Sequence, residues 1–270
     1  MMTDFDLAPI LAALSPTARH PMTIEPLSGG QSLVHLFRLH YPWGAAVLKG
    51  PLQLREALFY RDTAQRLADE GIAVPTLYEQ IVLGADHWLL REAFPELLPM
   101  GRWIGDEAVM ATLRHLHRLP TTFAISQAAI PAWQPLAASY RVALPTATLA
   151  ALDALMTRHR DIFAPTCVVA GDPNATNWGL RADGTIVLFD WDRIGYSIPA
   201  HDVAIVVPQL GWPTLYEQVA TAYLADDATP DGVTHLAHAM AICKIETTIA
   251  YINSPEIVEG NRQFVLGMFP

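Results

Sequence analysis

Along residues 23–92 apolar and β-branched positions come in short runs separated by turn residues. Runs at 23–27, 32–40 and 45–48 predict three strands, linked by Ser28-Gly29-Gly30 and Tyr41-Pro42-Trp43-Gly44. The period then lengthens. Leu54, Ala57, Leu58, Ala64, Leu67 and Ala68 recur at helical spacing and predict an amphipathic helix over 54–70. Residues 72–78, with Pro75 inside, predict an extended entry to a strand, and 80–83 with 88–92 a further hairpin. Beyond Pro95 helical spacing takes over. It predicts helices at 103–119, stopped by Pro120, and at 146–163, 200–209, 213–225 and 233–252, while 1–14 predicts a short helix ending before Pro16. The change of period places a boundary between 1–94 and 95–270, and the cleft between two such units is the default ligand site.

One stretch, 167–192, breaks the helical pattern. A β-rich run at 167–169 closes in a turn at Gly171-Asp172, and a polar loop follows to Asn177. A hairpin turning at 181–184 then delivers Asp190 at the end of an apolar strand, 185–189. Asp172, Asn177 and Asp190, five and then thirteen residues apart, are expected at one mouth beside a small sheet. Two carboxylates and an amide oxygen are the ligands that Mg²⁺-dependent phosphoryl transfer uses: one carboxylate accepts the proton of the attacking hydroxyl, and the other groups hold the metal. His159-Arg160-Asp161 spells the protein-kinase catalytic triplet, but Thr166, five residues on, is a poor metal ligand, so it is read as the solvated end of a helix.

The Gly-rich turn Gly29-Gly30, with Gln31 and Ser32 beside it, suits a backbone that approaches phosphate closely. Lys49 ends a predicted strand in a chain with fifteen arginines and only two lysines, and its compact ammonium suits phosphate oxygens. Glu56, in the first turn of the next helix, is placed to pair with it. Asp202 is read as a helix cap or a brace for the 171–177 loop. His115 and His117 point in different directions on a helix, cannot share one metal, and are read as packed or solvated.

Composition narrows the classes. The chain has 270 residues, 51% of them hydrophobic, and a mean hydropathy of +0.23. No uninterrupted apolar run approaches the roughly eighteen residues that would span a membrane. The stretch 233–252 carries His235, His238, Lys244 and Glu246 and is read as a buried helix, and Asp4 and Asp6 make the N-terminus unlike a signal peptide, so the protein is expected in the cytoplasm. Cys167 and Cys243 are too few for a disulfide framework or a metal site. A net charge of −10 argues against nucleic-acid or membrane partners. Residues 96–270 hold seventeen acids and ten bases, a balance that would attract a cationic small molecule.

Taken together these segments resemble the aminoglycoside phosphotransferase-like kinases, the small-molecule branch of the protein-kinase-like fold that includes choline kinases. The resemblance rests on 27–32, Val47-Leu48-Lys49, the run 113–120 (similar to L-x-x-L-H-x-L-P), Gly171-Asp172 with Asn177, Phe189-Asp190-Trp191-Asp192 and Pro199-Ala200-His201-Asp202. It implies an α+β, bilobal fold: an antiparallel N-terminal sheet with one long helix, then a larger, mainly helical lobe. It also implies a kinase that uses ATP or GTP with Mg²⁺ and phosphorylates a hydroxyl of a small molecule. Asp172 would be the catalytic base, and Asn177 and Asp190 the metal ligands. Gly29, Gly30, Gln31, Ser32 and Lys49 would meet the phosphates, with Glu56 holding Lys49, and backbone near Glu92 and Phe94 the purine. Asp202 would be structural. Ala170 stands where the family carries a loop-supporting His, which motivates a rival expectation: a catalytically silent nucleotide-binding module acting through a protein partner. A protein kinase proper fits poorly, because the eleven residues between Asp190 and Asp202 are too few for an activation loop that docks a peptide.

Overall fold

The short alternating runs of 23–92 join into one antiparallel sheet. The computed structural model describes residues 5–27, 34–125, 145–159, 162, 164–253 and 263. A short helix α1 (Ala8–Ala13) precedes strands β1 (Thr23–Pro26), β2 (His35–Tyr41) and β3 (Gly44–Leu52); after an intervening helix come β4 (Leu77–Leu83) and β5 (Asp86–Glu92). Their order in the sheet is β1-β2-β3-β5-β4. The period of two assigns the faces. Phe37, Leu39, Ala46, Leu48, Trp88 and Leu90 pack with Ile10 and Leu14 on one side. Val47 and Lys49 of β3 and Leu89 and Arg91 of β5 therefore share the other face, in the register Val47↔Arg91 and Lys49↔Leu89.

β3 runs past the expected end at residue 48, so Lys49 lies inside the strand rather than at its tip. Gly50 belongs to this extension because a Cβ there would come within 2.4 Å of the Trp88 ring. Gly50→Ala is accordingly expected to cost about 1–3 kcal/mol through overpacking. The check is a urea titration, and an unchanged midpoint would refute the tight contact.

Helix α2 comprises Leu54–Leu58, a π-helical stretch Phe59–Thr63, and Ala64–Asp69. The wider turn rotates the buried face away from the simple helical expectation. Leu54 and Ala68 are exposed, whereas Glu56, Ala57, Phe59, Tyr60, Thr63, Ala64 and Leu67 are buried.

The remainder is mainly helical: α3 (Met100–Trp103), α4 (Glu107–His117), α5 (Thr146–Arg158), α6 (Pro199–Val206), α7 (Pro213–Leu224) and α8 (Pro230–Asn253). The helix expected over 103–119 is thus broken. Gly105 takes φ of +70°, and Asp106 then caps α4 by accepting from the N–H groups of Ala108 and Val109. Short strands complete the architecture: β6 (Glu96–Leu97), β7 (Cys167–Val169), β8 (Trp178–Leu180), β9 (Ile186–Leu188) and β10 (Gly195–Ser197). β10 pairs with β7, and β6, β8 and β9 form a small sheet. The main core joins α2 to α4, α6, α7 and α8, and it takes in Met240, Ile242 and Cys243 of α8. Among the described residues no helix is long and apolar enough to cross a membrane.

Candidate active site

Strand β7 ends at Val169, and Gly171, with φ of +86°, turns the chain out of the sheet. Two successive backbone donors at this turn meet one carboxylate. Asp202, in the first turn of α6, accepts from Ala170 N at 2.7 Å and Gly171 N at 2.8 Å. The same carboxylate meets His117 Nε2 at 3.0 Å, and His117 Nδ1 lies 2.8 Å from the Tyr223 hydroxyl. Asp202 is fully buried. Burial alone would raise its pKa, but the hydrogen bond from His117 and the nearby His201, 3.9 Å away, outweigh it and hold the carboxyl well below the usual range. Asp202 is therefore a brace rather than a cap; residue 198 occupies the N-cap of α6. His117, expected to be merely packed or solvated, is part of that brace.

Beyond the turn, Asp172 Oδ1 accepts from Asn174 Nδ2 at 3.0 Å. The Pro173 carbonyl receives both the Trp103 and Trp178 indole N–H groups, at 3.2 and 3.1 Å. Asn177 closes a short 3₁₀ turn and donates its Nδ2 to Asp172 O at 2.9 Å, while Phe189 N donates to Asn177 O at 3.0 Å. One chain of hydrogen bonds thus brings Asp172, Asn177 and the strand end that carries Asp190 together. Burial raises the Asp172 pKa, with Asn174 and Arg193 opposing it. Burial and the Asp190 charge push Asp192 up to about 7.

From the sheet side comes Lys49. Its Nζ lies 2.6 Å from Glu56 Oε1 and 3.3 Å from Asp190 Oδ1. Burial works against the ammonium, yet the two carboxylates prevail and raise its pKa. The short Lys49–Glu56 spacing suffices because β3 leads almost directly into α2. That helix also grips the segment after β9: Tyr60 donates its hydroxyl to Phe189 O at 3.2 Å, and Arg55 Nη2 donates to Ile194 O at 3.0 Å.

At the end of β5, Glu92 makes a two-pronged ion pair with Arg181, at 2.8 Å on each oxygen, so the sheet is tied to the β8–β9 hairpin. Its backbone N–H donates to Thr76 O, and its carbonyl accepts from Arg91 Nη1 at 3.0 Å. Phe94 is buried and stacks on Phe189 with ring centroids 5.6 Å apart. Gly29, Gly30, Gln31 and Ser32 lie outside the described residues, as do Arg160 and Asp161 of the HRD triplet. His159 sits at the C-terminal end of α5 against His238.

Two charged groups near Asp172 carried no role in the sequence reasoning. Lys244 of α8, one of only two lysines, donates to Val207 O at 2.5 Å, and burial lowers its pKa to about 8 while Asp172 pulls the other way. Arg193 is exposed and acts on Asp172 through its charge. The rarity of lysine was the available signal for the first. A cavity of about 560 Å³ beside α2, lined by Tyr60, Ile72, Val74 and Arg181 among others, holds none of the expected site residues.

The family model described as "Phosphotransferase enzyme family" matches residues 23–234. None of the curated proteins compared matches the chain. Among solved structures, the choline kinase LicA from Streptococcus pneumoniae is similar in fold, with a TM-score of 0.62, 13% identity and 92% of each chain covered. A thermostable mutant of aminoglycoside phosphotransferase APH(4)-Ia, in ternary complex with ADP and hygromycin B, gives a TM-score of 0.63, 14% identity and 92% coverage of each chain. Aminoglycoside phosphotransferase APH(3'')-Id from Streptomyces rimosus, in complex with ADP and streptomycin, gives 0.51 and 20%, covering 89% of this chain and 99% of that one.

Proposed function

Because the chain belongs to the phosphotransferase enzyme family, we propose that it is a cytoplasmic kinase that moves the γ-phosphate of ATP or GTP, with Mg²⁺, to a hydroxyl of a small, amine-bearing molecule such as an aminoglycoside, amino alcohol or sugar. The observation that carries this is the hydrogen-bonded chain Asp172–Asn177–Phe189, which ends at Asp190 with Lys49 3.3 Å away. Residues 1–94 would hold the nucleotide, and 95–270 would supply the catalytic loop and the acceptor site.

The donor set suits Mg²⁺. The Asn177 amide N–H₂ is spent on Asp172 O, which leaves its oxygen as the free end, and Asp190 has a second oxygen beyond the one facing Lys49. Among the described residues no three His, Cys, Asp or Glu side chains cluster as a metal cage. One amide and one carboxylate with phosphate and water completing the shell is how this hard cation is usually held. Bound there, the ion would neutralise charge on the phosphates. The protein's own work is placement and proton transfer. Asp172, its pKa raised by burial, would accept the hydroxyl proton as the oxygen attacks phosphorus. Lys49, steadied by Glu56, would face the phosphate oxygens with its point charge.

Ala170 does not undermine this arrangement, because the loop is held through Ala170 N and Gly171 N by Asp202, contacts that need no side chain at 170. The comparisons lend no support to a catalytically silent module. The test is incubation with Mg²⁺ and ATP or GTP against pooled aminoglycosides, amino alcohols, sugars and nucleosides, with products weighed for added phosphate. One pool is expected to gain phosphate. If no pool does, and Mg²⁺·nucleotide also leaves the melting temperature unmoved, the proposal fails.

A further inference from the structure

Arg91 stands at the end of β5 on the face of the sheet that carries Lys49, opposite Val47. Its side chain is a cation in an unusual position. The residue is only 6% exposed; among the described residues it makes no salt bridge, and the acid its charge acts on is Glu56. Two aromatic rings flank the guanidinium, with Phe189 4.9 Å and Phe94 6.0 Å from centroid to Cζ. Nη1 donates to Glu92 O, while Nε is buried with no partner. Arg38 Nη2 approaches Phe94 O at 3.5 Å, the limit of a hydrogen bond. One guanidinium N–H thus lies on Glu92 O, another approaches Phe94 O, and the buried Nε donor of Arg91 is left over.

We propose that Arg91 makes the nucleotide site selective for guanine over adenine, an inference that rests on the cleft being a nucleotide site. Guanine presents two acceptors on one edge, O6 and N7, which match the fork of an arginine. Adenine presents N7 beside an amine. That amine would bring a donor against the guanidinium donors. An unmet buried N–H is costly, so an incoming acceptor relieves it and a second donor does not.

The test is calorimetric titration of the full-length protein, wild type and Arg91→Met, with the Mg²⁺ complexes of GDP, IDP, 7-deaza-GDP and ADP. IDP keeps O6 and N7 but lacks the 2-amino group; 7-deaza-GDP lacks N7. For the wild type, GDP and IDP are expected to bind alike and ADP at least about tenfold more weakly, with 7-deaza-GDP between them. Arg91→Met is expected to bring GDP and ADP within about threefold of each other. ADP binding as tightly as GDP to the wild type overturns the inference, and so does a guanine preference that survives Arg91→Met. Should that variant fail to fold, Arg91→Lys, which keeps the charge and loses the fork, is titrated in its place and is expected to narrow the gap between GDP and ADP; an unchanged gap overturns the inference. Binding of neither GDP nor ADP is a different result: it removes the nucleotide site, and the selectivity with it.

Discussion

Asp172→Ala is expected to lower kcat by about 10²–10⁴-fold, the range for removing a positioned general base, while Mg²⁺·nucleotide binding changes little. The structure separates these two effects. Among the described residues Asp172 Oδ1 accepts only the Asn174 amide, so truncation leaves the loop's anchors intact. Ala170 N and Gly171 N remain on Asp202, and the Pro173 carbonyl keeps both indole donors. Lys49 and Asp190 stay paired. The loss therefore belongs to proton acceptance, and Asp172→Asn, which keeps the shape, should lose a comparable amount. Single-turnover transfer to whichever acceptor the pooled assay identifies measures it. A variant that retains more than about a tenth of the wild-type rate would remove Asp172 from the role of base.

Asp202→Ala is expected to act on stability. The substitution strips the partner from Ala170 N, Gly171 N and His117 Nε2 at a fully buried point. Breaking one side of a buried charged network costs about 3–5 kcal/mol, a large share of the roughly 5–15 kcal/mol that holds a domain folded. The pH dependence has a definite sign. Asp202's folded pKa is depressed, so its contribution is present above the ordinary carboxylate pKa and is lost as pH falls below it. Urea unfolding at pH 7 should show the full gap between wild type and variant, and at about pH 3 that gap should shrink. A difference under about 1 kcal/mol at pH 7 would mean the loop finds other acceptors. Asp202→Asn, which keeps one acceptor oxygen, should fall between the two.

By itself the sequence determined the features whose cause is local. The switch from strand-length runs to helical spacing near residue 95 reflects which faces are buried, and the antiparallel sheet and C-terminal helices of this α+β fold follow it. The gathering of Asp172, Asn177 and Asp190 was legible for the same reason: a glycine turn, a short loop and one hairpin span only nineteen residues, so chain geometry leaves them few places to go. Gly105-Asp106 carried a signal too, a glycine followed by a capping acid, but the apolar positions on either side kept helical spacing and hid the break.

Tertiary packing alone decided the rest. The His117–Asp202 brace joins residues 85 apart, and Lys49 reaches Asp190 across 141, separations over which spacing carries no information. The π-helical stretch in α2 buries Phe59 and Tyr60 together, and along that helix Leu54 and Ala68 are exposed while Glu56 is buried. Arg91 shows the limit most clearly. Its place in the period of two is legible, but its guanidinium between two rings, with one donor unmet, exists only once the loop carrying Phe94 and the strand end carrying Phe189 are brought against the sheet.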